Sequence, residues 1–316
     1  MRGREGMLPL VVSSIDRQTP SIVSVVLEHP DREQLPDWKA GAHIDVQLVT
    51  RHERQYSLCG DPADARRYRI AVSRAELSRG ASHYVHEFLR VGSRVHVRPP
   101  RNLFELGPAE RYLLVAAGIG ITPMLAMARE LDARGEPFTL VYLVRDESEV
   151  AFGDELAEWG DRVRVHSGAS DGRLDLAGML AGLDPGTAVY ACGPARFSDA
   201  LSAAEAGGVL PAGCSLHLER FEPVQRETLP DEAFTVVCAE SDITLQVYPD
   251  TSMLVALSQA GIELPASCRR GVCGTCVVPL LDGAAEHRDS LGADAASGVV
   301  YPCVSRAPGG TLTLGI

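Results

Sequence analysis

The chain has 316 residues, 45% of them hydrophobic and 5% aromatic, and a formal net charge of −12. That length allows two or three domains with ordinary cores, and the acidic balance disfavours nucleic acid as a partner. No apolar run reaches the roughly 18 residues of a membrane span, and Met7 to Val12 is too short for a secretory leader, so a cytoplasmic protein without membrane attachment is expected.

The charge is uneven. Residues 1–107 carry a net +3, residues 108–231 a net −10 and residues 232–316 a net −5. A basic first segment suits a phosphate-bearing ligand. Only one of the 30 basic residues is lysine, Lys39, so an arginine carries information only inside a motif.

Residues 1–107 read as short strands separated by turn residues. The predicted strands are Leu8 to Arg17, Ile22 to His29, His43 to Leu48, Gln55 to Leu58, Tyr68 to Ser73 and Arg94 to Arg98. A helix is predicted over Ser82 to Leu89, with Ser82 as its N-cap. Six strands and one helix suggest a small antiparallel barrel. Within Arg54-Gln55-Tyr56-Ser57-Leu58, alternation puts Arg54, Tyr56 and Leu58 on one face and Gln55 and Ser57 on the other. Ile70-Ala71-Val72-Ser73 follows, and then Arg79-Gly80-Ala81-Ser82 opens the helix. A glycine turn at a helix start offers backbone N–H groups to an anion, and Arg79 adds a positive charge.

Residues 108–221 read as a parallel α/β domain. Arg111 to Ala117 is a continuous apolar run, as in a buried parallel strand. Gly118-Ile119-Gly120-Ile121-Thr122-Pro123 follows, with Thr122 predicted as N-cap and Pro123 in the first helical turn. Strands are predicted at Phe138 to Val144, Val163 to His166, Ala188 to Cys192 and Ser215 to Phe221. Helices are predicted at Ser148 to Trp159, Leu174 to Leu180 and Ala195 to Ala206. Cys192-Gly193-Pro194 again places glycine and proline at a strand's carboxyl end, where open α/β sheets bind ligands. Pro123 stands where a dehydrogenase fingerprint has its third glycine, which disfavours that type of nucleotide domain. Asp146, just past the second strand, suits a ribose hydroxyl, whereas Arg145 suits a 2′-phosphate. Cys192 also admits a plain reading as a core thiol.

Residues 222–231 hold prolines and charges and read as a linker. Phe234 to Ala239 and Thr244 to Tyr248 suggest a hairpin, Met253 to Gln259 a helix, and Val277 to Leu281 and Thr311 to Leu314 further strands. Between them lies Cys268-Arg269-Arg270-Gly271-Val272-Cys273-Gly274-Thr275-Cys276, with Cys303 following. This is the C-x4-C-x2-C…C spacing of a plant-type [2Fe–2S] loop. Two irons bridged by two sulfides need four thiolates, and Gly271 and Gly274 let the backbone wrap closely around them. A zinc site usually pairs two C-x-x-C knuckles, and disulfides belong to oxidising compartments; both readings fit less well. Cys59, Cys214 and Cys238 sit in no motif.

Three sets of motifs now stand in order. The cysteine loop resembles that of plant-type ferredoxins. R-x-Y-S with R-G-x-S resembles the flavin domain of the ferredoxin–NADP reductase superfamily, and G-x-G-x-T-P with Y-x-C-G-P resembles its pyridine-nucleotide domain. Within it, the chain is similar to the phthalate dioxygenase reductase family, which includes vanillate demethylase reductases. The resemblance implies an FMN-binding antiparallel β-barrel at 1–107 and an α/β parallel-sheet NAD(H) domain at 108–221. A linker at 222–231 and a C-terminal β-grasp [2Fe–2S] ferredoxin domain at 232–316 complete the chain.

By the same resemblance Arg54, Tyr56 and Ser57 line the flavin with Ala71 and Val72. Arg79, Gly80 and Ser82 take its phosphate, although Ala81 stands where the family often has glycine. Gly118, Gly120, Gly193 and Pro194 serve the nucleotide. Thr122 and Cys192 lie beside the nicotinamide, and Phe221 of His217-Leu218-Glu219-Arg220-Phe221 stacks on the flavin. Cys268, Cys273, Cys276 and Cys303 ligate the cluster. The implied activity passes electrons from NADH through FMN and the [2Fe–2S] cluster to a terminal oxygenase, of Rieske type acting on aromatic rings or O-methyl groups. A haem-thiolate monooxygenase is the alternative acceptor, and a flavin-linked redox sensor with a metal-binding loop is an alternative of another class. The chain itself is expected to be monomeric.

Overall fold

Apolar residues alternating with polar ones, broken by turns, give the first hundred residues a sheet built of hairpins. The strands are β1 (Leu8–Arg17), β2 (Ile22–Glu28), β3 (Ala42–Gln47), β4 (Glu53–Ser57), β5 (Arg67–Ser73), β6 (Arg94–Val97) and the short β7 (Arg101–Asn102). They pair antiparallel in the order β4-β3-β6-β1-β2-β5, with β7 beside β3. Cys59 N–H donates to Arg69 O at 2.8 Å, drawing the end of β4 to β5 and curling the sheet into a barrel. Leu10, Val25, Leu27, Ile44 and Val97 are buried in its core. Helix α1 (Ala81–Glu87) is capped by Gly80 at φ 99°, not by Ser82. Gly80 holds the N-cap position without any side-chain hydrogen bond to the first turn. This computed structural model describes residues 6–48, 53–74, 80–224, 227–291 and 296–316, so Arg79 lies outside the described residues.

The next run forms β8 (Arg111–Ala117), α2 (Ile121–Arg134), β9 (Phe138–Val144), α3 (Gly153–Ala157), β10 (Val163–Ser167), α4 (Leu176–Ala181), β11 (Thr187–Gly193), α5 (Ala195–Ala206) and β12 (Ser215–Arg220). The five strands are parallel in the order β10-β9-β8-β11-β12. The central position of β8 and β11 explains why both read as unbroken apolar runs. Helix α2 covers one face with Met124, Leu125, Met127, Ala128 and Leu131. The long helix expected over 148–159 is replaced by a 3-10 turn at Glu147–Glu149 and the five-residue α3. Phe152 takes a left-handed φ of 60°, which ends any continuous helix there. Its ring lies under the Arg69 guanidinium, 4.9 Å away.

The barrel and the parallel sheet belong to one unit that ends at Arg220. Arg69 and Arg129 both bond Glu155, with Arg69 Nη1 at 2.6 Å, and both reach the Cys59 carbonyl at 2.8 Å. Desolvation lowers the Arg129 guanidinium to about 10. Thr19 and Ser21 of the barrel donate to Glu149 of the second domain.

The second unit begins at Phe221. It contains β13 (Phe234–Cys238), β14 (Ile243–Val247), α6 (Met253–Gln259), β15 (Val278–Asp282), β16 (Val299–Val300) and β17 (Thr311–Leu314). Their order is β14-β13-β17-β15-β16, and β13 and β17 run parallel. Helix α6, capped by the Ser252 hydroxyl, packs Met253 and Leu257 on Phe234, Val236, Val247 and Leu312. This is a β-grasp layout. Leu229 N–H donates to Glu286 at 2.9 Å, and Arg288 bonds both Leu229 O and Asp231. The described part of the stretch expected as a linker thus lies along this unit. Among the described residues no helix is long and apolar enough to cross a membrane.

Candidate functional site

Adjacent parallel strands bring the two glycine motifs together. Ala116 of β8 pairs with Cys192 of β11, so both motifs emerge at the same carboxyl end of the sheet. A Cβ on Gly120 would stand 2.1 Å from the Cys192 carbonyl oxygen and 2.9 Å from the Gly193 nitrogen. Only glycine allows that approach. Gly118 and Gly120 form a 3-10 turn, and α2 starts at Ile121 with Gly120 as its cap. Thr122 is therefore inside the helix rather than capping it. Its hydroxyl donates to Ile119 O at 3.0 Å, a carbonyl whose i+4 helical partner is Pro123, which has no N–H to give. Gly193 packs against Ala117 and Phe197, and Pro194 caps α5. Asp146 accepts from the Ser148 N–H at 3.0 Å, capping its own turn just past β9.

A partly buried acid stands beside this edge. β12 pairs with β11 so that Glu219 lies opposite Cys192. Ser57, buried at the end of β4, donates its hydroxyl to Glu219 Oε2 at 3.3 Å. Cys192 Sγ lies 3.8 Å from the same oxygen. Desolvation pushes the Glu219 carboxyl up to about 8, with the Ser57 hydrogen bond opposing. Desolvation, and then the Glu219 charge, raise the Cys192 thiol well above its ordinary value, so it is a neutral SH. The trio joins the barrel to the nucleotide domain at a point where a proton is held or released near neutral pH.

On the barrel side, Arg54 and Tyr56 share one face of β4, opposite Ser57. Tyr56 is pushed up to about 12 by desolvation, which the Arg54 charge partly offsets, and it remains a neutral phenol. Ala71 and Val72 are buried in β5. Gly80 and Ser82 lie at the start of α1.

In the second unit the four cysteines meet in two pairs. Cys268 and Cys273 share a hydrogen bond that lowers Cys273 to about 6 and raises Cys268. Cys276 and Cys303 share another, lowering Cys276 and raising Cys303. Thr275 Oγ1 lies 3.0 Å from Cys273 Sγ, and Arg270 N–H donates to Cys268 Sγ at 3.3 Å. Gly271, at φ 69°, has no room for a Cβ, which would stand 2.8 Å from Val304 and 2.9 Å from the Asp289 backbone. Among the described residues no three ligands close on a single ion. Two thiol pairs, with N–H and hydroxyl groups aimed at sulfur, instead suit two irons, one for each pair.

The comparisons agree with this division. The family described as a 2Fe-2S iron-sulfur cluster binding domain matches residues 236–308. The chain is 43% identical over 312 residues to the heme-dependent oxidative N-demethylase beta subunit of Ectopseudomonas mendocina, covering 98% of each chain. The structure of phthalate dioxygenase reductase, described as modular for electron transfer from pyridine nucleotides to [2Fe-2S], matches with a TM-score of 0.72 and 36% identity. That match covers 99% of this chain and 98% of that one. The chain belongs to the phthalate dioxygenase reductase family. It is an oxidoreductase of the oxygenase-reductase type, with flavin, pyridine-nucleotide and [2Fe–2S] domains. An intact self-sufficient cytochrome P450 monooxygenase also matches, with a TM-score of 0.90 and 41% identity over 98% of this chain. This reductase spans 41% of that longer chain.

Sequence reasoning passed over Glu219 as a site residue. Its signal was position alone, two residues before Phe221 on a strand that would lie beside Cys192. Thr275, inside the cysteine motif, was likewise not singled out.

Proposed function

We propose that this protein oxidises NADH and delivers the electrons one at a time, through FMN and a [2Fe–2S] cluster, to a terminal oxygenase. Bound FMN supplies the chemistry that links a two-electron hydride donor to a one-electron acceptor. The observation that carries the reading is the union of two sites in one chain: the Ser57–Glu219–Cys192 junction at the glycine-lined sheet edge, and the doubly paired cysteine loop.

The site residues follow. Gly118, Gly120 and Gly193 hold the nucleotide's pyrophosphate and nicotinamide end at backbone N–H groups, and Pro194, which has no N–H, shapes the turn beside them. Thr122 and Cys192 wall the nicotinamide. Arg54, Tyr56, Ser57, Ala71 and Val72 line the flavin, and Arg79, Gly80 and Ser82 take its phosphate. Phe221 stacks on the ring. Glu219 carries a proton next to Ser57 at neutral pH. Asp146 receives the adenine ribose, and the net −10 of residues 108–231 disfavours a 2′-phosphate; a kcat/KM ratio favouring NADPH would refute this. We place the reductase in the cytoplasm as a monomer, which size-exclusion chromatography of the holoprotein tests.

The acceptor is an oxygenase of Rieske type, as expected from the sequence. A haem-containing oxygenase is a second reading, favoured by the 43% and 41% identities to a heme-dependent demethylase subunit and a P450 chain. Anaerobic titration with NADH, followed in the visible spectrum, tests the electron path. Joint bleaching of flavin and cluster absorbance is expected, and flavin bleaching beside a cluster that stays oxidised would overturn it. Reduction rates with purified oxygenases of each type then separate the acceptors.

A further inference from the structure

Ser290 lies between β15 and β16 and joins two parts of the second unit. Its N–H donates to Gly271 O, inside the cysteine loop, at 2.8 Å. Its hydroxyl accepts from Val224 N–H, also at 2.8 Å. A second tie runs alongside. Arg270 Nη2 stands 3.5 Å from the Phe221 carbonyl oxygen, while Arg270 N–H donates to Cys268 Sγ at 3.3 Å. The segment that follows β12 is therefore fastened twice to the loop that carries Cys268. The two ties share no atom: one uses an amide of the segment, the other a carbonyl.

We propose that Ser290 and Arg270 are positioning residues for electron delivery to the cluster. They hold Phe221 against the cysteine loop, so the aromatic ring and the Cys268 thiolate keep one spacing. The proposal rests on the flavin-stacking role given to Phe221 above. A continuous route runs from the Phe221 carbonyl to the Arg270 guanidinium, along that residue to its N–H, and on to Cys268 Sγ. With both groups bound, each transfer would move one electron, oxidising the flavin by one and reducing the cluster by one. No bond is made or broken, and neither residue gains or loses a proton. Gly271 adds to the same logic, because its missing side chain leaves the loop pressed against Asp289, the neighbour of Ser290.

The test uses the holoprotein with Ser290→Ala, Ser290→Thr and the charge-preserving Arg270→Lys. Hydrogen exchange of the peptide containing Val224 is expected to speed up in Ser290→Ala and to return to normal in Ser290→Thr. In stopped flow, NADH should bleach the flavin at the native rate in all three. Cluster bleaching should slow roughly tenfold in Ser290→Ala and Arg270→Lys, the scale of a small misplacement, and recover in Ser290→Thr. The cluster's midpoint potential should stay unchanged in Ser290→Ala. Unchanged exchange at Val224, native cluster bleaching despite faster exchange, or slowing explained by a shifted potential would each overturn the proposal. Should Ser290→Ala lose its cluster, Arg270→Lys decides alone, since it leaves Ser290 in place. Phe221→Leu is run in parallel: native flavin spectrum and hydride transfer there would remove the stacking role, while the exchange result still decides whether the tie exists.

Discussion

Cys192 and Glu219 face each other across the β11–β12 ladder, with the thiol sulfur 3.8 Å from the carboxyl oxygen that also receives the Ser57 hydroxyl. Two strands of one domain and one strand of another thus bring a thiol, a carboxyl and a hydroxyl to a single partly buried point. The electrostatic consequence is measurable.

The Glu219 carboxyl is raised to about 8 from an ordinary 4.5. The folded protein therefore binds this proton more tightly than the unfolded chain does. Its contribution to stability is full below about pH 4.5 and is lost as pH rises toward 8. Glu219→Gln should remove that slope, gaining roughly 2–4 kcal/mol relative to the native protein between pH 5 and pH 8.5. Urea midpoints of both proteins at several pH values check this; parallel curves would show that Glu219 does not titrate in this range.

Cys268→Ser should abolish NADH-driven reduction of cytochrome c or of an added oxygenase, yet leave flavin bleaching by NADH intact. The two sites lie in different units. Loss of flavin reduction in a folded, flavin-loaded variant would contradict a modular electron path.

Thr275 places its hydroxyl 3.0 Å from Cys273 Sγ. A donor to a ligand sulfur favours the more negative, reduced cluster. Thr275→Val should lower the midpoint potential by about 40 mV, the equivalent of one hydrogen bond of about 1 kcal/mol. Potentiometric titration followed by electron paramagnetic resonance reads the shift, and an unchanged potential would mean the hydroxyl serves packing alone.

Glu155 answers two arginines, Arg69 and Arg129, at the barrel's contact with the parallel sheet. Glu155→Ala leaves both partly exposed guanidiniums together with their counter-ion gone, a change worth about 1–3 kcal/mol. By contrast Glu28→Ala, which frees the well-exposed Arg67, should cost under about 1 kcal/mol. Denaturation midpoints of the two variants should differ clearly; equal losses would show that the Glu155 network is as weak as a surface pair.

The parts of this protein legible in its sequence were those whose chemistry requires neighbours in the chain. Cys268, Cys273 and Cys276 must lie close in sequence to wrap a cluster, and Gly118 and Gly120 must lie together to free a strand end. Glu219 was invisible because its meaning depends on strand register with Cys192 and on a barrel residue, Ser57, far away in the chain. The helix expected over 148–159 failed for a similar reason. Its periodicity was helical, but Phe152 adopts a left-handed backbone where its ring packs under Arg69, a contact between domains. Ser82 looked like a cap by type, whereas the helix begins before it, at Ala81 after Gly80.

The pairing of the cysteines also bears on how the protein is made. Cys268 and Cys273 belong to one short loop and can meet as soon as that loop leaves the ribosome. Cys276 must wait for Cys303, which lies beyond β15 and β16 in the chain. One half of the cluster's seat is thus written locally and the other half is a product of folding. A chain stopped before Cys303 would offer an iron donor half a site.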